Sequence, residues 1–364
     1  MRKPKLSRGS FAAAAVLCLA ALLAAACVEQ PRQQAADEAG PKKGTIRIGL
    51  SMDTLKEERW QRDRDLFMAR ARELGAEVLV QSANGDDRVQ VQQADNLLTQ
   101  GVDVLVVIPH NGEIAATIVE SAKARGVPVI SYDRLIRSSE PALYVSFDNE
   151  KVGELQARYL LERAPKGNYV LVGGAPTDNN ALLFRKGQMN VLKPAVDGGD
   201  VKIVSDQWAK DWLASEALRI TEDALTKSGN QVTAVVASND ATAGGAVSAL
   251  EVQKLAGKVL VSGQDADLAA LQRIVAGTQS MTVYKPVHLL ARRAAEAAVA
   301  LARGEKVQTT SAINNGKIDV PSILLEPVVV DKNNIVETVV KDGYQKLEAV
   351  YENVPPDQRP KPRP

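Results

Sequence analysis

The stretch that decides the fold is Gly101–Arg134, "GVDVLVVIPHNGEIAATIVESAKARGVPVISYDR". Val102 to Pro109 is a short β-branched run, apolar at successive positions, as a strand covered on both faces must be. From about Glu113 to Arg125 the apolar residues return every three or four positions, the period of one helix face, and Gly126 stops the helix. Val127 to Tyr132 is a second apolar strand. Strand, helix and strand in this order form a βαβ unit, with the two strands parallel and the helix packed over them.

The alternation extends both ways from this unit. Upstream, "TIRIGLS" (from Thr45) and "EVLVQS" (from Glu77) are strands, with helices over Glu57–Leu74 and from about Arg88 to Gln100. Downstream, after "LYVSFDN", the pattern starts again with "NYVLVGG", "VKIVSDQW", "AVVASND", "KVLVSGQD" and "MTVYKP". Two rounds, each the size of one doubly wound sheet, predict an α/β protein of two Rossmann-like parallel-sheet lobes. The N-terminal lobe spans 45–146 and the C-terminal lobe 147–284. A late helix from Pro286 to Arg303 and the final strands cross back, so that about 285–325 return to the first lobe and about 326–350 to the second. Residues 351–364, ending "VPPDQRPKPRP", are expected to form a disordered tail.

The chain's 364 residues are 45% hydrophobic and 24% charged, with a formal net charge of +1. That balance offers no broad basic face for nucleic acid. Arg2, Lys3, Lys5 and Arg8 precede an apolar run from Phe11 to Ala26, too short for a comfortable membrane span, so 1–26 read as an export signal. The run ends "LLAAAC" at Cys27, which resembles a bacterial lipoprotein signal with Cys27 as the lipid anchor; Ala24-Ala25-Ala26 would also suit ordinary A-x-A cleavage. Residues 27–44 read as a flexible, Gln-rich linker. Both cysteines, Cys18 and Cys27, lie in this leader, so the folded part holds neither a thiol nor a disulfide.

Ligands of open α/β sheets bind beyond the carboxyl ends of the strands. Those ends carry Asp53 with Glu58-Arg59-Trp60; Asp133 and Arg134; Asp178 and Asn180; Trp208 and Trp212; Asn239 and Asp240; Asp265; and Lys285. A sugar presents hydroxyls that both donate and accept, around apolar C–H faces. Its complement is a ring of Asp, Arg, Lys and Asn, with an indole over the flat face. All three tryptophans stand near such ends. Trp212 is the first choice for stacking and Trp60 the second, with Trp208 read as packing. The adjacent acid and base in "SYDR" could also be no more than a solvated turn.

Enzyme chemistry finds little footing. His110 and His288 are the only histidines and lie far apart in sequence. There is no Cys/His metal spacing, no G-x-S-x-G elbow and no P-loop. Gly173-Gly174 and Gly244-Gly245 read as turn and packing glycines before they read as phosphate contacts, and "DKNN" (331–334) as a turn. An Asp133–Asp265 carboxylate pair would suit a glycosidase, but nothing local brings the two together. No cofactor, metal or catalytic residue is expected.

With these residues in view, a family resemblance appears. "ERWQRDRD", "QSANGDD", "GVDVLVVIPHNG", "YDRLI", "VSFDNEKVGELQA", "GGAPTDNNA", "VASNDATAGGA", "SGQDADLAALQRI" and "GTQSMTVYKP" closely resemble bacterial periplasmic D-xylose-binding proteins, from about Ile46 to Gly343. The resemblance implies a type I periplasmic binding fold with three hinge strands. It also implies a function: monomeric, high-affinity binding of a pentose, foremost D-xylose, with delivery to the permease subunits of an ABC sugar importer. It places Arg59, Trp60, Asp133 and Arg134 at the sugar from the first lobe, and Asp178, Asn180, Trp212, Asn239 and Asp265 from the second, with Lys285 near a hinge crossing. Asp53 is expected to hold Arg59, and Arg185 to stand behind the site. The lipoprotein-like start and Pro-rich end depart from the family's plain secreted form. Other readings are a binder of ribose, arabinose or glucose, a sugar-sensing regulator or chemoreceptor ligand protein, and an exported glycosidase. The export signal stands where a regulator would carry its DNA-binding domain.

Overall fold

The computed structural model describes residues 44–360. The expected export signal, Cys27 and the linker up to residue 43 lie outside the described residues, as do residues 361–364. The first round comprises β1 (Ile46–Met52), α1 (Glu58–Glu73), β2 (Ala76–Ser82), α2 (Asp87–Thr99), β3 (Val104–Val107), α3 (Ala116–Ala124), β4 (Val129–Tyr132) and β5 (Leu143–Phe147). The second comprises α4 (Asn149–Arg163), β6 (Gly167–Gly173), α5 (Asn179–Asp197), β7 (Val201–Trp208), α6 (Ala214–Ser228), β8 (Ala234–Ala237), α7 (Asp240–Val252), β9 (Leu260–Val261), α8 (Leu268–Ala276) and β10 (Thr282–Tyr284). The chain then returns through α9 (Val287–Ala302), β11 (Ser311–Asn314), β12 (Asp319–Leu325), β13 (Val328–Val330) and α10 (Leu347–Val350).

The sheets have the orders β11-β12-β5-β4-β3-β1-β2 and β7-β6-β8-β9, parallel throughout except for the β11–β12 pair, while β10 pairs antiparallel with β13. In each lobe the order reverses beside the first strand, between β1 and β3 and between β6 and β8. Such a switch point opens a crevice at the carboxyl ends. Asp53 and Trp60 follow β1, and Asn239 follows β8, so both crevices are lined by the charged and polar strand ends.

Period-2 patterning explains the layers. Val104 and Val106 of β3 pack with Phe67 of α1 and Leu290 of α9, whereas Leu105 and Val107 pack with Leu97 of α2 and Ile118 of α3. In the second lobe Val170 and Val172 of β6 face Ile220 of α6, while Tyr169 and Leu171 face Leu160 of α4. Each fully buried side chain of this size contributes about 1.5–3 kcal/mol, which is why both lobes hold together without a disulfide.

Three expectations shift. The helix expected from Glu113 starts at Ala116, because Asn111 Oδ1 accepts from the backbone N–H of Glu113 and of Ile114 and turns the chain first. The strand expected over "KVLVSGQD" shrinks to Leu260–Val261, where Gly263 passes so close to Asp240 and Gln279 that a Cβ would overlap both. Tyr351, counted with the tail, is buried beside Tyr344, Val350 and Val339, so the packed chain runs past it.

Candidate functional site

Between the two lobes lies a small cavity, bordered by side chains of both. All ten side chains expected in one cleft border it. Arg59, Trp60, Asp133 and Arg134 come from the first lobe, Asp178, Asn180, Trp212, Asn239 and Asp265 from the second, and Lys285 from the stretch leading into α9. The carboxylates of Asp133 and Asp265 meet through Arg59 and Lys285 rather than directly.

Asp133 is aimed by its backbone. Its φ of 59° is left-handed, a conformation that Asp tolerates better than most residues. Its N–H donates to the Val145 carbonyl at 2.8 Å, and its own carbonyl accepts from Ser146 Oγ and Tyr144 Oη. The kink turns the carboxylate off the end of β4, where Oδ2 meets Arg59 Nη2 at 2.8 Å and Oδ1 accepts from Asn180 Nδ2 at 3.0 Å. Burial would push this carboxyl up, but the charges of Arg59, Lys285 and Arg134 outweigh it and hold it below the ordinary range. Trp212 and Asp265 also have positive φ, at 58° and 98°. Strain of this kind persists only where the surroundings enforce it.

In the second lobe, helix caps do the aiming. Asp178 caps α5, accepting from the Asn180 N–H at 2.9 Å, while its other oxygen meets Arg134 Nε at 2.8 Å. Burial raises the Asp178 carboxyl, against the pull of Arg134. Asn239 caps α7 in a reciprocal capping box with Thr242, which commits its amide oxygen and leaves Nδ2 as the group it can offer. Both caps sit at the positive ends of helices that begin at the cleft.

The indoles are held differently. Trp60 lies beneath the guanidinium groups of Arg59 and Arg134, with Cζ at 4.2 and 5.1 Å from its centroid. Trp212 packs edge-on to Phe184 at 6.3 Å and covers Gly174, where any Cβ would overlap the indole. Trp208 is not part of the lining; it lies over Gly173 and under the Arg185 guanidinium. Both glycines of that pair thus serve packing.

Some roles change. Asp53 holds Arg134 (Nη1 to Oδ2, 2.6 Å) and His110 (2.9 Å), not Arg59. The reason is topological: β1 pairs with β3, so Asp53 lies beside Pro109 and His110, while Arg59 reaches the chain that follows β4 and β9 and takes Asp63, Asp133 and Asp265 as partners. Arg185 is paired with Asp206 and Gln188, outside the cavity lining. The sequence reading missed Glu57, Phe184 and Gln264, which also border the cavity. Phe184 lies one helical turn beyond Asn180, and Glu57 and Gln264 adjoin residues that had been chosen, so helical spacing and adjacency were the available signals.

Four lining carboxylates face three lining cations, a near balance that suits a neutral ligand better than an anion. Among the lining residues, Glu57 Oε2, Gln264 Oε1 and Trp212 Nε1 are buried without a hydrogen-bond partner. A buried polar atom left unpaired costs about 1–3 kcal/mol. Two acceptors and one donor call for a partner that can supply both, as a hydroxyl does. Among the described residues no group of three or more His, Cys, Asp or Glu is placed to hold a metal, and no helix is long and apolar enough to cross a membrane.

Comparison with known proteins places the chain in a family. Residues 48–306 match the periplasmic binding protein domain. The chain is 56% identical to the D-xylose-binding periplasmic protein of Haemophilus influenzae, over 84% of this chain and 92% of the relative. It is equally identical to that of Escherichia coli, over 83% and 91%. A solved carbohydrate transporter solute-binding protein from Chloroflexus aurantiacus, in complex with D-glucose, superposes with a TM-score of 0.80 at 32% identity, covering 84% of this chain and 98% of that one. With two parallel-sheet lobes around a polar cleft and a match across most of its length, the chain belongs to the type I periplasmic binding protein family.

Proposed function

We propose that this protein binds a pentose, foremost D-xylose, outside the cytoplasmic membrane, closes its lobes on the sugar, and delivers it unchanged to the permease subunits of an ABC importer. The observation that carries this reading is the cavity lining: planar forked groups from both lobes, two indoles and three orphaned polar atoms surround a space suited to one small neutral polyol. The relatives named for D-xylose, at 56% identity, support the choice of sugar. A hexose reading has in its favour the D-glucose held by the 32%-identical structural neighbour from Chloroflexus aurantiacus, and the β-D-glucose held by another at the same identity.

Calorimetric titration against D-xylose, L-arabinose, D-ribose and D-glucose separates these readings. D-Xylose should bind tightest and be recovered intact. Tighter binding of D-glucose would move the assignment to a hexose, and turnover of any sugar would sink the binding-protein reading. The reading extends to Cys27 as a lipid anchor: Cys27→Ser should release membrane-bound protein in soluble form, and unlipidated wild type in mass spectrometry would refute the anchor alone.

A further inference from the structure

A second cavity, with about 670 Å³ free of protein atoms, opens outward from the first. It too is walled by both lobes, with Asp53, Lys56 and His110 on one side and Asp211 and Leu213 on the other. Lys56 Nζ donates to the Asp211 carbonyl across it at 3.1 Å. The two cavities share three lining residues, Glu57, Arg134 and Trp212, which therefore form the neck between them.

Two of the three are fixed. Arg134 is bound to Asp53, Asp178 and the Pro109 carbonyl, and Trp212 is wedged between Gly174 and Phe184. Glu57 is not fixed in this way. It precedes α1 without capping it, one oxygen meets Lys56 at 3.0 Å, where the Lys56 side chain is 49% exposed, and Oε2 is buried with no partner. An acceptor that is buried at a neck, unpaired, and carried on a side chain with one weak surface tether is free to serve a ligand.

We propose that Glu57 sets the length of sugar the cleft accepts. Its carboxylate accepts a hydrogen bond from the ligand hydroxyl nearest the outer cavity, and its side chain bars the ligand from extending into that cavity. The inference rests on the monosaccharide-binding reading above and deepens it. One ring fills the inner cavity, and a substituent on its outward oxygen would have to pass Glu57, losing the donor that the carboxylate needs. The outer cavity has room for a second ring, so Glu57, rather than lack of space, keeps the site to monosaccharides.

The test is calorimetry on the full chain with D-xylose and with xylobiose, which presents a substituted oxygen at either end of a ring. Wild type should bind D-xylose and take xylobiose at least 100-fold more weakly. Glu57→Ala should lose roughly tenfold or more for D-xylose, the scale of a charge-assisted hydrogen bond, and should gain for xylobiose, so that the affinity ratio falls by 100-fold or more. Glu57→Gln keeps the bulk and an acceptor, and should keep xylobiose out. An unchanged melting temperature of the free variants establishes that the fold is intact. If wild type binds D-xylose and Glu57→Ala binds it within twofold of wild type, or weakens for both sugars alike, the gate is overturned and the binding reading stands. If wild type binds no monosaccharide, the binding reading falls and the gate with it.

Discussion

Arg134 Nε stands 2.8 Å from Asp178 Oδ2, and the two residues belong to opposite lobes. Both side chains are almost fully buried in this arrangement, and so are the pairs Asp133–Asn180 and Arg59–Asp265 that also cross the cleft. Separating the lobes would return these groups to water. The desolvation of a buried ion pair roughly cancels its Coulomb attraction, so these pairs define how the closed lobes fit more than they drive closure. A ligand shifts the population only by its differential affinity, and one that touches both lobes has it by construction.

Asp133 is the residue where that bridging is most concentrated. Asp133→Asn keeps the left-handed backbone, which Asn tolerates, but removes the charge facing Arg59 and Lys285. Binding of D-xylose should weaken by about 2–4 kcal/mol. Wild type should melt higher with sugar, and the variant should gain little at a concentration that saturates wild type. An equal gain in both would leave Asp133 as an ordinary strand-end residue.

The βαβ order and the strand-end residues were legible because they rest on local rules: period 2 against 3.6, glycine stops, and polar groups at the carboxyl ends of parallel strands. Pairing was not legible. Asp53 belongs to Arg134 because β1 lies next to β3, a neighbourhood set by topology rather than spacing. Phe184 was passed over because an apolar residue inside a helix gives no sign of whether its face meets core or cavity. Glu57 gives no local signal, because a charge beside Glu58 and Arg59 at the start of a helix has the same pattern as an exposed first turn.

The tryptophans should separate cleanly. Trp212 borders the cavity and Trp208 does not. Trp212→Ala should weaken sugar binding by about 1–3 kcal/mol, the scale of one buried aromatic contact. Trp208→Ala, assayed in the same titration, should leave affinity within a factor of about two to three. Equal losses with the fold intact would mean that the indole of Trp212 makes no special contact.

Two glycines set where Asn180 and Phe184 stand. A Cβ at Gly187 of α5 would overlap the Glu150 carbonyl of α4, and one at Gly153 of α4 would overlap the Phe184 carbonyl. The helices pack through these gaps. Gly187→Ala should therefore destabilise the protein by about 1–3 kcal/mol through overpacking, and should weaken sugar binding by moving α5. Denaturant unfolding and calorimetry read the two effects, and a variant as stable as wild type would show that α4 and α5 can separate freely.

Asp267 gives a dependence on pH whose sign can be worked out. It stands before α8 without capping it, its N–H donates to Asp240 Oδ2 at 3.0 Å, and its own Oδ1 is buried without a partner. Burial first, then the nearby charges of Asp240, Asp265, Glu58 and Glu57, push its carboxyl well above the ordinary aspartate value of 3.8. Arg273 is the cation close to this group, and burial also pushes Asp240 up, to about 7. A carboxyl whose folded value is raised stabilises the fold fully below its unfolded value, and that contribution is lost as pH rises through the folded value. Asp267→Asn stays neutral at every pH and escapes the loss. Its melting temperature should match wild type near pH 4 and exceed it by a growing margin toward pH 8, at constant ionic strength. A difference that stays flat with pH, or a variant that melts lower at pH 8, would mean that Asp267 is ionised and well solvated in the folded protein.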